Sequence, residues 1–128
     1  TSLQEALDAY GITEPLVPKW LPEGFESRDV IISVDPDFIR IIAVYQYGEK
    51  EIKVTVRRYN SEDALERFSL EKQEGQQDTK YTKDGVVHSI AQNNAACTAS
   101  WTNGLNMASI MGDVTEEELE QMIDSIYT

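Results

Sequence analysis

Between two strand-like runs, Ala96 to Thr102 and Leu105 to Met111, lies an Asn-Gly pair, Asn103-Gly104. Asn-Gly is the strongest short-range signal for a two-residue hairpin, because both central residues of the favoured turn need positive φ. The pair predicts that Thr102 faces Leu105 and Trp101 faces Asn106. After Gly112, Thr115 and Glu118 have the spacing of a capping box, in which hydroxyl and carboxylate each satisfy a backbone N–H left free by the first helical turn. Leu119, Met122, Ile123, Ile126 and Tyr127 follow at helical spacing, ringed by Glu116, Glu117, Glu120 and Asp124. One apolar stripe of this kind must lie on something, and the preceding hairpin is the nearest sheet.

Upstream, the same signals recur. Ser2 and Glu5 form another capping pair ahead of Leu3, Ala6, Leu7 and Tyr10, with Gly11 as the stop. Pro15, Pro18 and Pro22 then impose an extended passage, with Trp20 and Phe25 expected to anchor it on the core. Arg28 to Val34, Phe38 to Tyr47 and Glu51 to Tyr59 read as strands separated by Asp35-Pro36-Asp37 and Gly48-Glu49-Lys50. In the third, Ile52, Val54 and Val56 alternate with Lys53, Thr55 and Arg57, so one face is wet. The second is apolar on both faces, Ile39, Ile41 and Tyr45 opposite Phe38, Ile42 and Val44, and is expected to be central and covered twice.

Ser61 caps two helical turns through Phe68. Glu71 to Asp78 is polar and reads as a mobile connection. Lys83-Asp84-Gly85 joins Thr79 to Thr82 with Val86 to Gln92, and Asn93-Asn94 turns the chain toward the next strand. Connections this short argue against a wholly parallel arrangement, whose crossovers need a dozen or more residues. The expectation is therefore an α+β fold: an antiparallel meander of about seven strands with N-terminal and C-terminal helices packed on it, as one domain spanning 1–128.

With 41% hydrophobic and 27% charged residues, the composition is that of a globular domain. No stretch approaches the ~20 apolar residues of a membrane span, so direct membrane insertion by this segment is not expected. Lys plus Arg total 11 against 23 Asp plus Glu, a net charge of -12. That balance argues against nucleic acid as a partner and fits a cationic peptide, an envelope component or another protein. Cys97 is the only cysteine, so no internal disulfide forms. The opening Thr-Ser-Leu in place of Met suggests a processed product or part of a longer chain.

Residues with chemical potential are sparse. His88, the only histidine, sits on one face of a strand between Val86 and Ile90. No Gly-x-Ser-x-Gly or His-Glu-x-x-His surrounds it, so a structural role is expected and no catalytic residue is assigned. Cys97, among small residues, is expected to be a packed thiol sharing a face with Ala99, Trp101, Asn106, Ala108 and Ile110. Asp35 and Asp37, and Asp113 with Glu116 to Glu118, lack the ligand spacing of a calcium loop, so neither metal nor cofactor is expected. Trp20, Tyr45, Tyr47, His88 and Trp101 are the candidates for an aromatic ligand groove, to which Tyr59 and Tyr81 could contribute, although aromatics on strands commonly serve as core.

The order of landmarks resembles DUF4367, a bacterial family of unknown function. The resemblance is carried by Trp20-Leu21-Pro22-Glu23-Gly24-Phe25, Tyr45 and Tyr47, Asp84-Gly85-Val86-Val87-His88, Trp101 with Asn103-Gly104, Gly112, Glu117-Glu118-Leu119 and Asp124-Ser125-Ile126. It covers about residues 17 to 127. It implies an extracytoplasmic C-terminal domain of a membrane-anchored protein in Gram-positive bacteria, some members being similar to anti-sigma factors, with the anchor outside this chain. The family offers no catalytic or binding residues to transfer. Its expected role is a non-catalytic sensing or interaction module. The alternatives are a small hydrolase or transferase using His88, or an assembly scaffold pairing through an exposed strand edge.

Overall fold

The computed structural model describes residues 1–70, 79–92 and 96–128. Its elements in chain order are α1 (Leu3–Ala9), β1 (Glu26–Val34), β2 (Phe38–Tyr47), β3 (Lys50–Tyr59), α2 (Glu62–Leu70), β4 (Thr79–Lys83), β5 (Val86–Gln92), β6 (Cys97–Asn103), β7 (Asn106–Gly112) and α3 (Glu116–Ile126). The mobile connection expected at 71–78 and the turn expected at Asn93-Asn94 lie outside the described residues.

All seven strands form one antiparallel sheet in the order β1-β2-β3-β7-β6-β5-β4. The α+β class therefore holds broadly, with helices small beside the sheet, but a single continuous meander does not. Two meanders, β1 to β3 and β4 to β7, lie side by side, and after α2 the chain re-enters at the far edge. Turn chemistry specifies only neighbours in sequence, whereas β3 and β7 are matched by their buried faces. Ile52, Val54 and Val56 stand opposite Gly112, Ile110 and Ala108. At Gly112 an added Cβ would lie 2.8 Å from Ile52 Cγ1, so this junction has no room for a side chain.

The central strand is accordingly β7, and β2 lies one place in from the edge. On its second face Val44 is buried and Ile42 half-buried. Phe38 joins Tyr59, Ala64, Leu65 and Met107 in a small cluster beneath α2. The main core is on the opposite face, where α1 lies against β2 and α3 against β6 and β4. Leu7, Leu16, Ile41, Ile110, Leu119 and Ile123 are among its fully enclosed members.

Both expected capping boxes are present, at Ser2 with Glu5 and at Thr115 with Glu118. A Schellman motif ends α1, where the Gly11 N–H donates to Asp8 and the Ile12 N–H to Leu7. Tyr10, expected within the apolar stripe, is the exposed C-cap. Trp20 also differs from expectation. It is exposed, and Leu16, Pro18 and Pro22 are the buried anchors of the extended passage, with Phe25 packed against the core.

The Asn-Gly hairpin forms in a shifted register. Asn103 pairs with Asn106, Thr102 with Met107 and Trp101 with Ala108. The turn residues are thus Gly104 and Leu105, of which only Gly104 has positive φ, at 64°. Positive φ at the first central position alone is the pattern of a type II′ turn, where one glycine suffices. The shifted turn gains two bonds: Asn106 Nδ2 donates to the Asn103 carbonyl at 3.0 Å, and Tyr59 N–H donates to the Leu105 carbonyl at 2.9 Å. Trp101 moves two places along its partner, which keeps Cys97, Ala99 and Trp101 on the face of Ala108 and Ile110. At Asp84-Gly85 both residues have positive φ, as that hairpin signal requires.

Candidate functional site

Three residues of the last turn of α3 and its cap reach three different parts of the chain. Asp124 Oδ1 accepts the Tyr81 phenol at 2.5 Å and lies 3.8 Å from Lys83 Nζ, both on β4. Ser125 Oγ accepts the backbone N–H groups of Lys19 at 2.9 Å and Trp20 at 3.1 Å, and donates to the Met122 carbonyl at 2.6 Å. Tyr127, the C-cap, meets His88 Nε2 at 2.8 Å. The Lys19 ammonium caps the helix end by donating to the Ile126 and Thr128 carbonyls.

His88 is fully enclosed, at 0% exposure. Its Nδ1 lies 2.9 Å from the Tyr81 carbonyl, which can only accept, so Nδ1 carries the hydrogen and Nε2 accepts from the Tyr127 hydroxyl. Trp101 packs edge-on at 4.8 Å between ring centroids, and Tyr127 at 5.7 Å. Burial holds the imidazole below its ordinary pKa against the opposing pull of the Tyr81 and Val86 backbone groups and Asp124. Burial, reinforced by the Asp84 carboxylate, pushes Tyr127 up to about 12. The bond to Asp124 is the main cause that pushes Tyr81 to about 12. At neutral pH this is an uncharged imidazole held between a backbone carbonyl and a protonated phenol. A general base needs a nitrogen within reach of a substrate proton, and both nitrogens here are engaged within the fold.

Cys97 is buried on the same face, and burial, followed by the nearby Glu116 charge, raises its thiol pKa, the setting of an inert thiol. Among the described residues no group of three or more His, Cys, Asp or Glu is placed to hold a metal ion.

Of the five aromatic-groove candidates, His88 and Trp101 are in contact. Trp20 lines a surface hollow of about 290 Å³ with Gln121, Asp124, Ser125 and Thr128, on the outer side of the same helix end. Tyr45 and Tyr47 are elsewhere. Tyr45 packs against the core, where burial raises its pKa. Tyr47 is exposed, stands edge-on to Phe25 at 5.8 Å and covers Gly24, where a Cβ would come within 3.0 Å of the ring. Strands β2 and β5 are four places apart, roughly 19 Å at ordinary strand spacing. The tyrosines of β2 and the His88 cluster therefore do not share a groove.

Tyr81 was legible in the sequence only as a contributor to a groove, and Asp124, Ser125 and Lys19, which fasten the same helix end, were not candidates. Asp124-Ser125-Ile126 was legible only as a landmark of resemblance. A second feature is also new: β1 is an edge strand nine residues long on which Ile31, Ile32 and Val34 are 51%, 41% and 69% exposed. The opposite edge, β4, has five residues, two of them lysines.

The fold and site define an antiparallel α+β domain whose polar side chains fasten its own helices and whose sheet ends in one long apolar edge. The chain matches the Domain of unknown function (DUF4367) over residues 15–126 and belongs to that family. No curated protein matches it. Among solved structures it is similar to a chain of the crystal structure of MucB in complex with MucA(peri), with 14% sequence identity and a TM-score of 0.45 over 88% of this chain. The match takes in 36% of that chain, so this domain spans about a third of its length.

Proposed function

We propose that the domain is a non-catalytic interaction module that binds a protein partner outside the cytoplasm, as part of a membrane-anchored protein. The observation that carries this reading is the exposed apolar edge of β1, since long, uncovered apolar edges are templates for pairing with another chain. The engagement of both His88 nitrogens within the fold supports a structural role for the one histidine. The extracytoplasmic placement follows the family resemblance. The buried lone thiol of Cys97 does not contradict that placement.

The test uses the whole parent protein in the cells that make it, with a topology reporter fused to this domain and a photo-crosslinking residue replacing Val34 or, on the opposite edge, Thr82. The reading predicts a reporter outside the cytoplasm and a discrete protein adduct from position 34 only. A cytoplasmic reporter overturns the placement; absence of an adduct from position 34, or equal adducts from both edges, overturns the interaction surface.

A further inference from the structure

Hydrogen bonding in an antiparallel ladder alternates, so the direction of every backbone group on β1 follows from one bond. Asp35 N–H donates to the Phe38 carbonyl at 2.9 Å, making Asp35 and Phe38 a hydrogen-bonded pair. Along the register Val34↔Ile39, Ser33↔Arg40, Ile32↔Ile41, Ile31↔Ile42 and Val30↔Ala43, the pairs that face β2 are then those of Ser33 and Ile31. Val30, Ile32 and Val34 direct their N–H and C=O groups to the open edge. The window is bounded by the bulge between Ser27 and Asp29 on one side and the Asp35-Pro36 turn on the other. Within it Ile32 and Val34 expose side chains on the face that carries α1 and α3, and Ile31 on the other, so an added strand gains apolar contact on both faces.

Charge selects the occupant. Residues 23–37 carry Glu23, Glu26, Asp29, Asp35 and Asp37 against Arg28 alone; of these Asp37 has a distant ion pair with Arg67 at 3.8 Å. A second copy of this chain is disfavoured: symmetric pairing about Ile32 sets Asp29 opposite Asp35 of the copy, between molecules of charge -12 each. We infer that β1 accepts, as an eighth strand, an extended partner segment of alternating β-branched residues flanked by lysine or arginine. This rests on the interaction-module reading and names its surface, its mode and the chemistry of its partner.

The probe is the labelled decapeptide Lys-Lys-Thr-Val-Thr-Val-Thr-Val-Lys-Lys, with a counterpart carrying Glu in place of every Lys, titrated against the full chain by fluorescence anisotropy and amide NMR. The lysine peptide is expected to bind at least about tenfold more tightly than the glutamate peptide, a difference of about 1.4 kcal/mol. Its shift changes are expected at Val30, Ile32 and Val34. Ile32→Pro removes an outward N–H without touching the ladder to β2. Ile32→Lys keeps the backbone, places a charge on the edge, and serves should the proline variant fail to fold. Each folded variant is expected to weaken binding at least about tenfold.

Equal affinity for the two peptides, or binding unchanged in folded Ile32→Lys, overturns the inference. So does concentration-dependent self-association that Ile32→Lys abolishes, which makes a second copy the occupant. Lysine-peptide binding with shifts away from β1 overturns the edge while leaving an interaction module standing. No binding of the lysine peptide at about 1 mM overturns the cationic-strand inference; with no adduct from position 34 of the parent protein either, the broader reading falls as well.

Discussion

At His88 a neutral imidazole is held by one carbonyl and one phenol, and each partner can be removed separately. Tyr127→Phe leaves Nε2 as a buried acceptor without a donor. It is expected to cost about 1–3 kcal/mol in urea unfolding, the range for an orphaned buried group. The pH dependence has a definite sign. Because burial lowers the folded-state value beneath the ordinary 6.5, the unfolded chain binds this proton more readily. The stability owed to neutral His88 is complete above about pH 6.5 and is lost as pH falls toward the folded-state value. Thermal melting between pH 5 and 7 should show that decline in the natural chain and lack its histidine component in His88→Gln. A decline of equal size in both would contradict the assignment. Tyr81 and Tyr127, both raised to about 12, act at the other end: stability they confer is complete below about pH 10 and lost as pH rises toward 12. That His88 lies on an apolar strand face was legible from Val86 and Ile90. Its partners were not, because Tyr127 is 39 residues away and no local pattern ties a strand histidine to a helix cap.

The elements were legible wherever their cause is local. Both capping boxes, the Asp84-Gly85 turn and the alternation of β3 depend on residues a few positions apart, and each formed where expected. The Asn-Gly hairpin formed in another register because bonds from Asn106 and Tyr59 favour a turn at Gly104-Leu105, and Tyr59 belongs to a distant strand. Two substitutions test how elements are fastened. Ser125→Ala removes the acceptor shared by the Lys19 and Trp20 amides, and is expected to cost about 1–3 kcal/mol with faster exchange of those two amides. Gly112→Ala forces a methyl to within 2.8 Å of Ile52 Cγ1 and 3.1 Å of the Glu51 carbonyl oxygen. Overpacking of that kind costs about 1–3 kcal/mol, measured as a lowered denaturant midpoint. A Gly112→Ala protein as stable as the natural chain would contradict the tight β3–β7 junction.

For the whole molecule, the decisive information is non-local. Tight turns define each meander, but which outer strand of one meets which of the other depends on matching Ile52, Val54 and Val56 to Ala108, Ile110 and Gly112. That choice makes β7 central and leaves β1 at an edge, so Ile31 and Ile32 of the apolar run Val30 to Ile32, which as sequence suits a buried strand, are exposed to solvent while Val30 packs against the core. The candidate groove of five aromatics divides for the same reason, since strand order sets Tyr45 and Tyr47 apart from His88 and Trp101. An apolar edge beside acidic residues at one end of the sheet, with the polar chemistry spent on internal fastening, is the basis of the interaction reading. The most direct measurement is native-state amide hydrogen exchange of the free domain along β1. Fast exchange at Val30, Ile32 and Val34 with protection at Ile31 and Ser33 is the predicted alternation of an uncovered edge strand. Uniform protection of all five amides would contradict it, because the edge would then already be paired.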